Sequence, residues 1–172
     1  MTNSTRRAQL DLKLDGREPD PAGRWHDGAP LAFLGGRLRL VLGSQHKEAL
    51  REGDTLNLPL PPQATPRQIQ DRAEAWLRGE AKRRLQLMID QKFSELHSAQ
   101  APAGRRPPRL ALSFATRGHW VEARDGGGTL RCNWRLIEQP VAVIEQAIGR
   151  AIAALPPEAR RGDLFDTATP AN

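Results

Sequence analysis

Ile69, Ala73, Trp76, Leu77, Ala81, Leu85, Met88, Ile89, Phe93 and Leu96 recur mostly at steps of three and four residues. That spacing is the period of an α-helix with one buried stripe. Its start is marked as well. Thr65 stands at the N-cap, Pro66 at the first helical position and Gln68 three residues after Thr65, which together form a capping box. The pattern predicts one helix of about nine turns ending near His97. A stripe that long has to be covered, and this limits the folds open to the chain more than any other feature. Gly79 is the weak point inside the helix. From Arg67 to Lys92 seven basic residues stand against four acidic ones, the mark of a solvated outer face.

Strand signals flank this helix. Leu31–Leu34 and Arg37–Leu42, joined by Gly35-Gly36, predict a hairpin, because glycine supplies the positive φ of tight turns. A short strand is expected over Thr55–Leu58, before Pro59. After a Pro/Gly/Arg loop at 98–108, strands are expected over Leu110–Phe114, Trp120–Arg124 and Thr129–Ile137, with a turn at Asp125–Gly128. A second helix is expected from about Pro140, its apolar face made of Ile144, Ile148, Ala151, Ile152 and Leu155, and ended by Pro156-Pro157. Leu10–Leu14 alternates like a short edge strand, and Pro19–Arg24 reads as linker. The expected organisation is a flexible arm over 1–24, one α+β domain over 25–155 and a tail over 156–172.

A chain of 172 residues suffices for one domain with a real core. No apolar run reaches the roughly 18–20 residues of a membrane span, so no membrane partner is expected. Arg6 and Arg7 are not followed by an apolar segment, so no secretory leader is expected and the cytoplasm is the simplest compartment. The single cysteine, Cys132, excludes an internal disulfide framework and reads as a small buried hydrophobe. The net charge is +6, and 22 of the 26 basic residues are arginine. A compositional bias toward arginine explains this as readily as a polyanionic partner does.

Two stretches together resemble the YgjP-like zinc metallopeptidase family, small zincins related to the minigluzincins. The first is Trp25–Leu96, with Trp25 and Gly28, the Leu34-Gly35 turn, Trp76-Leu77-Arg78 and Glu80-Ala81. The second is Leu110–Leu155, with Ala115-Thr116, Trp120, Asn133-Trp134-Arg135-Leu136-Ile137 and Val143-Ile144. The resemblance implies a small zincin-like α+β domain: an N-terminal hairpin, the long helix, antiparallel strands and an active-site helix. On that helix it implies His-Glu-x-x-His, with a third histidine six residues further on. Residues i and i+4 share a helical face, so two imidazoles converge on zinc while the glutamate polarises its bound water.

Here the corresponding residues depart from the family. Arg150 and Ala154 occupy the two ligand positions, Ala151 that of the general base, and Arg160 that of the third ligand. Neither alanine nor arginine offers zinc a lone pair. A guanidinium about 4 Å from a dication would be repelled by on the order of 8 kcal/mol at an effective dielectric near 20. The family leads one to expect zinc, but these residues predict no cofactor and no catalytic residue. Trp120, Asn133, Trp134 and Arg135 are the candidates for a remnant peptide cleft. For Trp134 and Arg135 the preferred reading is a core residue and the partner of a carboxylate.

Three functions stay open. One is a metallopeptidase-like protein without catalysis that binds a peptide or protein. Another is a nucleic-acid-binding module on the segment Arg105–Arg135, where seven arginines stand against Glu122 and Asp125 and Trp120 lies among them. The third is a metal-dependent hydrolase with a relocated site, which requires His26, His46, His97 and His119 to converge.

Overall fold

The computed structural model describes residues 21–97 and 106–156. The expectations for Leu10–Leu14, for Arg105, for Arg160 and for the tail from 157 lie outside the described residues. The chain divides into two compact units. Among the described residues, one takes 21–31, 37–76 and 114–118, and the other takes 32–36, 77–97, 106–113 and 119–156. The secondary structure is α+β, as expected.

The first sheet has the order β1-β2-β4-β3, with β1 Pro30–Phe33, β2 Gly36–Leu42, β3 Leu50–Glu52 and β4 Thr55–Leu58. Where a linker was expected, Pro21–Arg24 makes a single helical turn, α1. β4 lies parallel to β2, aligning Leu40 with Leu56 and Leu42 with Leu58, and antiparallel to β3. Leu38, Leu40, Leu56 and Leu58 are buried with Trp25, Ala29 and Leu31. Alternation along β2 and β4 thus gives the sheet one apolar face.

The turn between β1 and β2 is at Leu34-Gly35, where the resemblance puts it and one residue before the glycine pair, with φ of 49° and 78°. Both central residues of the two-residue loop are at positive φ, as in a type I′ hairpin turn. Leu34 takes a left-handed conformation that costs a non-glycine residue about 1–2 kcal/mol. Tertiary structure explains the choice: Leu34 N–H donates to Ile137 O at 2.8 Å and Gly35 N–H to Glu138 O at 3.2 Å. Gly35 also presses against Pro140, so a Cβ there would lie 2.7 Å from Pro140 Cα.

The long helix, α2, runs over Pro66–His97. Its capping box forms as expected: Thr65 N–H donates to Gln68 Oε1 at 2.8 Å and Gln68 N–H to Thr65 Oγ1 at 3.3 Å. The fully buried line is Ile69, Ala73, Leu77, Ala81, Leu85, Ile89 and Phe93, a strict four-residue repeat. Each such step turns about 40° past a full revolution, because a helix advances about 100° per residue. The buried line therefore winds around α2 instead of keeping to one face, and the helix needs apolar neighbours on more than one side. Leu96, expected to end the stripe, is 50% exposed.

The second sheet has the order β5-β7-β6, with β5 Arg109–Ser113, β6 Val121–Arg124 and β7 Thr129–Asn133. The antiparallel pairing expected of these strands is found for β6 and β7, whereas β5 lies parallel to β7. Residues 134–137, expected to prolong the last strand, instead belong to a 3₁₀ turn, Trp134–Glu138. Asn133 causes the change: its side chain accepts from Arg135 N–H at 3.0 Å and caps the turn. The chain then enters α3, Val141–Ala153, whose Ile144, Ile148 and Ile152 are buried with Leu130, Leu136 and Ile137.

Two substitutions test these contacts. Gly35→Ala forces a methyl group against the Pro140 backbone at a positive φ and is expected to cost about 2–3 kcal/mol in denaturant unfolding. Gly79→Ala should act in the opposite sense. A Cβ at 79 meets only Arg83 Nη1, at 4.0 Å, so the exchange should stabilise the protein by about 0.5–1 kcal/mol.

Candidate functional site

Trp120, Asn133, Trp134, Arg135, Arg150, Ala151 and Ala154 lie just before β6, at the end of β7, in the 3₁₀ turn and along α3 to its C-cap, all within the second unit. α3 packs beside β6. Its C-terminal end closes on the glycine turn after that strand, where a Cβ at Gly127 would come 3.2 Å from Leu155 Cδ2. β7 is the middle strand, so β5 and β6 are both edges. Gln86 of α2 occupies the β5 edge: its side chain accepts from Leu110 N–H at 2.8 Å and donates to Pro108 O at 3.3 Å. The amide stands in for a neighbouring strand and satisfies edge groups that would otherwise be open. Gln86 was not found from the sequence, because its partners are more than twenty residues away and no local motif marks them.

The apolar line Ile144–Ile148–Ile152 fixes the roll of α3. Val143, Ala147 and Ala151 are half-buried beside that line, while Arg150 and Ala154 are exposed. At about 100° per residue, 143, 147, 150 and 154 share one flank of the helix. The i, i+4 pair that the resemblance makes zinc ligands is therefore presented together on one face. The side chains there are a guanidinium and a methyl, with a second methyl at the base position, and none is a metal donor. The residues present do not fit zinc.

Trp120, Asn133, Trp134 and Arg135 serve the fold in several ways. Asn133 is buried, caps the 3₁₀ turn and donates its N–H to Trp120 O at 2.8 Å. Trp134 is buried, with Arg78 of α2 and Arg135 stacked on its ring at 5.1 and 4.9 Å. Cation–π contacts of this kind are worth about 0.5–2 kcal/mol, and more where water is excluded. Arg135 Nη1 also pairs with Glu138 at 3.3 Å, so the core-and-carboxylate reading of this pair matches the contacts seen. Trp120 is half-buried.

The other chemistry-bearing groups are spread out. His26 Nδ1 lies 2.7 Å from Asp27 O, while His97 stacks on Phe93 and its Nδ1 lies 3.0 Å from Phe93 O. His46 is half-buried in the loop after β2, and His119 is exposed. Among the described residues no three of histidine, cysteine, aspartate and glutamate gather closely enough to hold a metal ion. No helix among them is long and apolar enough to cross a membrane.

A groove of about 370 Å³ opens between the ends of α2 and α3, lined by Lys92, Glu95, Leu96, Ala142, Glu145, Gln146 and Gly149. It lies on the flank of α3 away from 150 and 154. Its charged groups answer one another, Lys92 Nζ lying 2.8 Å from Glu95 and 3.8 Å from Glu145.

Glu80 of α2 is buried at 8% exposure. Burial raises its carboxyl pKa, but hydrogen bonds from Arg84 and Arg83, together with their charges, outweigh that and hold it below the usual value. Arg84, bonded to Glu80 at 2.7 Å, also lies over the Phe33 ring at 5.5 Å.

Among known proteins, the sequence pattern of one family, the YgjP-like metallopeptidase domain, matches residues 6–148. The match begins inside the stretch expected to be an arm and stops two residues short of Arg150. No curated protein and no solved structure matches the chain.

Cys132 is fully buried, and burial pushes its thiol from 9.0 up to about 12. The folded chain then keeps a proton that the unfolded chain releases above about pH 9, so stability falls as pH rises through that range. The unfolding free energies of the parent and Cys132→Ala should converge by about 1 kcal/mol between pH 8 and pH 10. A thiol reagent should label Cys132 only on unfolding.

Proposed function

Because the chain belongs to the YgjP-like metallopeptidase domain family, we propose that it is a member that has given up zinc and catalysis and uses the retained scaffold to bind a peptide or protein segment. The observation that carries this reading is the donor-free flank of α3, where Arg150, Ala151 and Ala154 stand at the positions assigned to two ligands and the base. Without a metal there is no polarised water. Without a carboxylate at 151 there is no general base.

Binding needs neither. β6 is an edge strand next to α3, and an edge strand offers backbone donors and acceptors to an extended segment. The opposite edge, β5, is occupied by Gln86, which favours β6. The relocated-hydrolase reading has less support, since the four histidines sit in separate places among the described residues.

Metal analysis decides the matter. Protein purified without chelator and passed through a desalting column is expected to hold far less than one equivalent of zinc, and near-stoichiometric zinc would overturn the proposal. The double variant Arg150→His/Ala154→His places two imidazoles one helical turn apart. In a chelator competition it should bind zinc more tightly than the parent.

A further inference from the structure

We infer that the outer face of the second sheet is a binding surface for single-stranded nucleic acid, centred on Arg109, Arg131, Arg124 and Trp120. The inference stands apart from the peptide reading, since it concerns the face of the sheet and not its edge.

Strand register makes the case. β7 buries Leu130 and Cys132 and turns Thr129 and Arg131 the other way. Arg109 and Ala111 of β5 pair with Thr129 and Arg131, and Arg124 and Glu122 of β6 pair with the same two residues from the other side. Paired residues share a face. Arg109, Arg124 and Arg131 therefore stand on one surface of three strands, and all three are exposed. Trp120 continues β6 by one residue, its carbonyl taking the Asn133 N–H. That bond sets Trp120 opposite Asn133, two residues along from the Glu122–Arg131 pair, and its side chain is half-buried.

Charge on this face is unbalanced. Glu122 is its one carboxylate, and it is already bonded to Arg124 at 2.9 Å. Neither Arg109 nor Arg131 has an ion-pair partner among the described residues. Of the other arginines in this segment, Arg135 is turned to Trp134 and Glu138 and Arg117 belongs to the other unit.

Strands about 4.8 Å apart and residues about 6.7 Å apart along one face spread the guanidinium groups over a flat strip about 10 Å wide. Such a strip has no projecting helix or ribbon to enter a duplex groove. What it presents is a phosphate-binding row beside a half-exposed aromatic ring, the combination that holds unpaired bases by stacking.

Labelled fifteen-nucleotide dT and rU strands, titrated with the full chain and followed by fluorescence anisotropy, test this. Binding is expected with a Kd on the order of 10⁻⁵ M at low salt. Three neutralised phosphates give a log–log salt slope of about −2, or about 20-fold weaker binding between 50 and 200 mM salt. Arg109→Gln/Arg131→Gln should weaken binding at least about tenfold and flatten the slope by about 1.4. Trp120→Leu should cost about tenfold with the slope unchanged.

Arg37→Gln/Arg39→Gln removes the same charge from exposed positions of β2 and should change affinity less than about twofold. The two arginine pairs are at the surface, so their comparison stands even where Trp120→Leu loosens the domain. The inference is overturned by no binding up to about 100 μM, by equal losses in the two arginine pairs, by duplex binding as tight as single strands, or by equally effective competition from polyglutamate. A preference between dT and rU identifies the strand without affecting the inference.

Discussion

The tip of the first hairpin holds the second unit in register. Leu34 and Gly35 donate their N–H groups to Ile137 and Glu138 across a hundred residues of sequence, and Gly35 lies so close to Pro140 that only hydrogen fits between them. Each such bond contributes about 1 kcal/mol net. Their position is what matters. Pro140 immediately precedes α3, so this contact fixes where the helix begins. The left-handed backbone of Leu34 and the glycine that follows are consequences of that docking.

From this anchor the placement of the α3 flank follows. Ile144, Ile148 and Ile152 set the roll of the helix, and 150 and 154 come out together on the accessible side. On the reading proposed above, these are the positions of two metal ligands, and they carry a guanidinium and a methyl group. A change of side chains there would leave the framework standing. Exposed helix positions tolerate exchange within a few tenths of a kcal/mol, whereas the isoleucine line cannot change without opening cavities.

The fold was largely legible in the sequence wherever local rules operate. The α2 capping box, the four-residue apolar repeat and the Ile144-to-Leu155 face each specify a helix from neighbouring residues alone. Errors arose where a distant partner overrode the local preference. The glycine pair alone suggested a turn at Gly35-Gly36, whereas the turn sits at Leu34-Gly35, its N–H groups taken by carbonyls a hundred positions away. Trp134–Glu138 became a 3₁₀ turn because the Asn133 side chain caps it, a cue present in the sequence but masked by an apolar run resembling a strand. Of the four cleft candidates, Asn133 and Trp134 are buried while Trp120 and Arg135 are half-buried, a distinction residue type cannot make.

By itself the sequence determined the two long helices, most strand positions, the single buried thiol and the absence of metal donors at Arg150, Ala151 and Ala154, since these depend on residue identity and short-range periodicity. Only the tertiary structure decided that β5 runs parallel to β7, that Gln86 closes one edge of their sheet, and that Arg109, Arg124 and Arg131 share a face. Strand pairing joins segments ten to twenty residues apart, and its register is set by packing and by competition for backbone hydrogen bonds. No local pattern along the chain records the outcome.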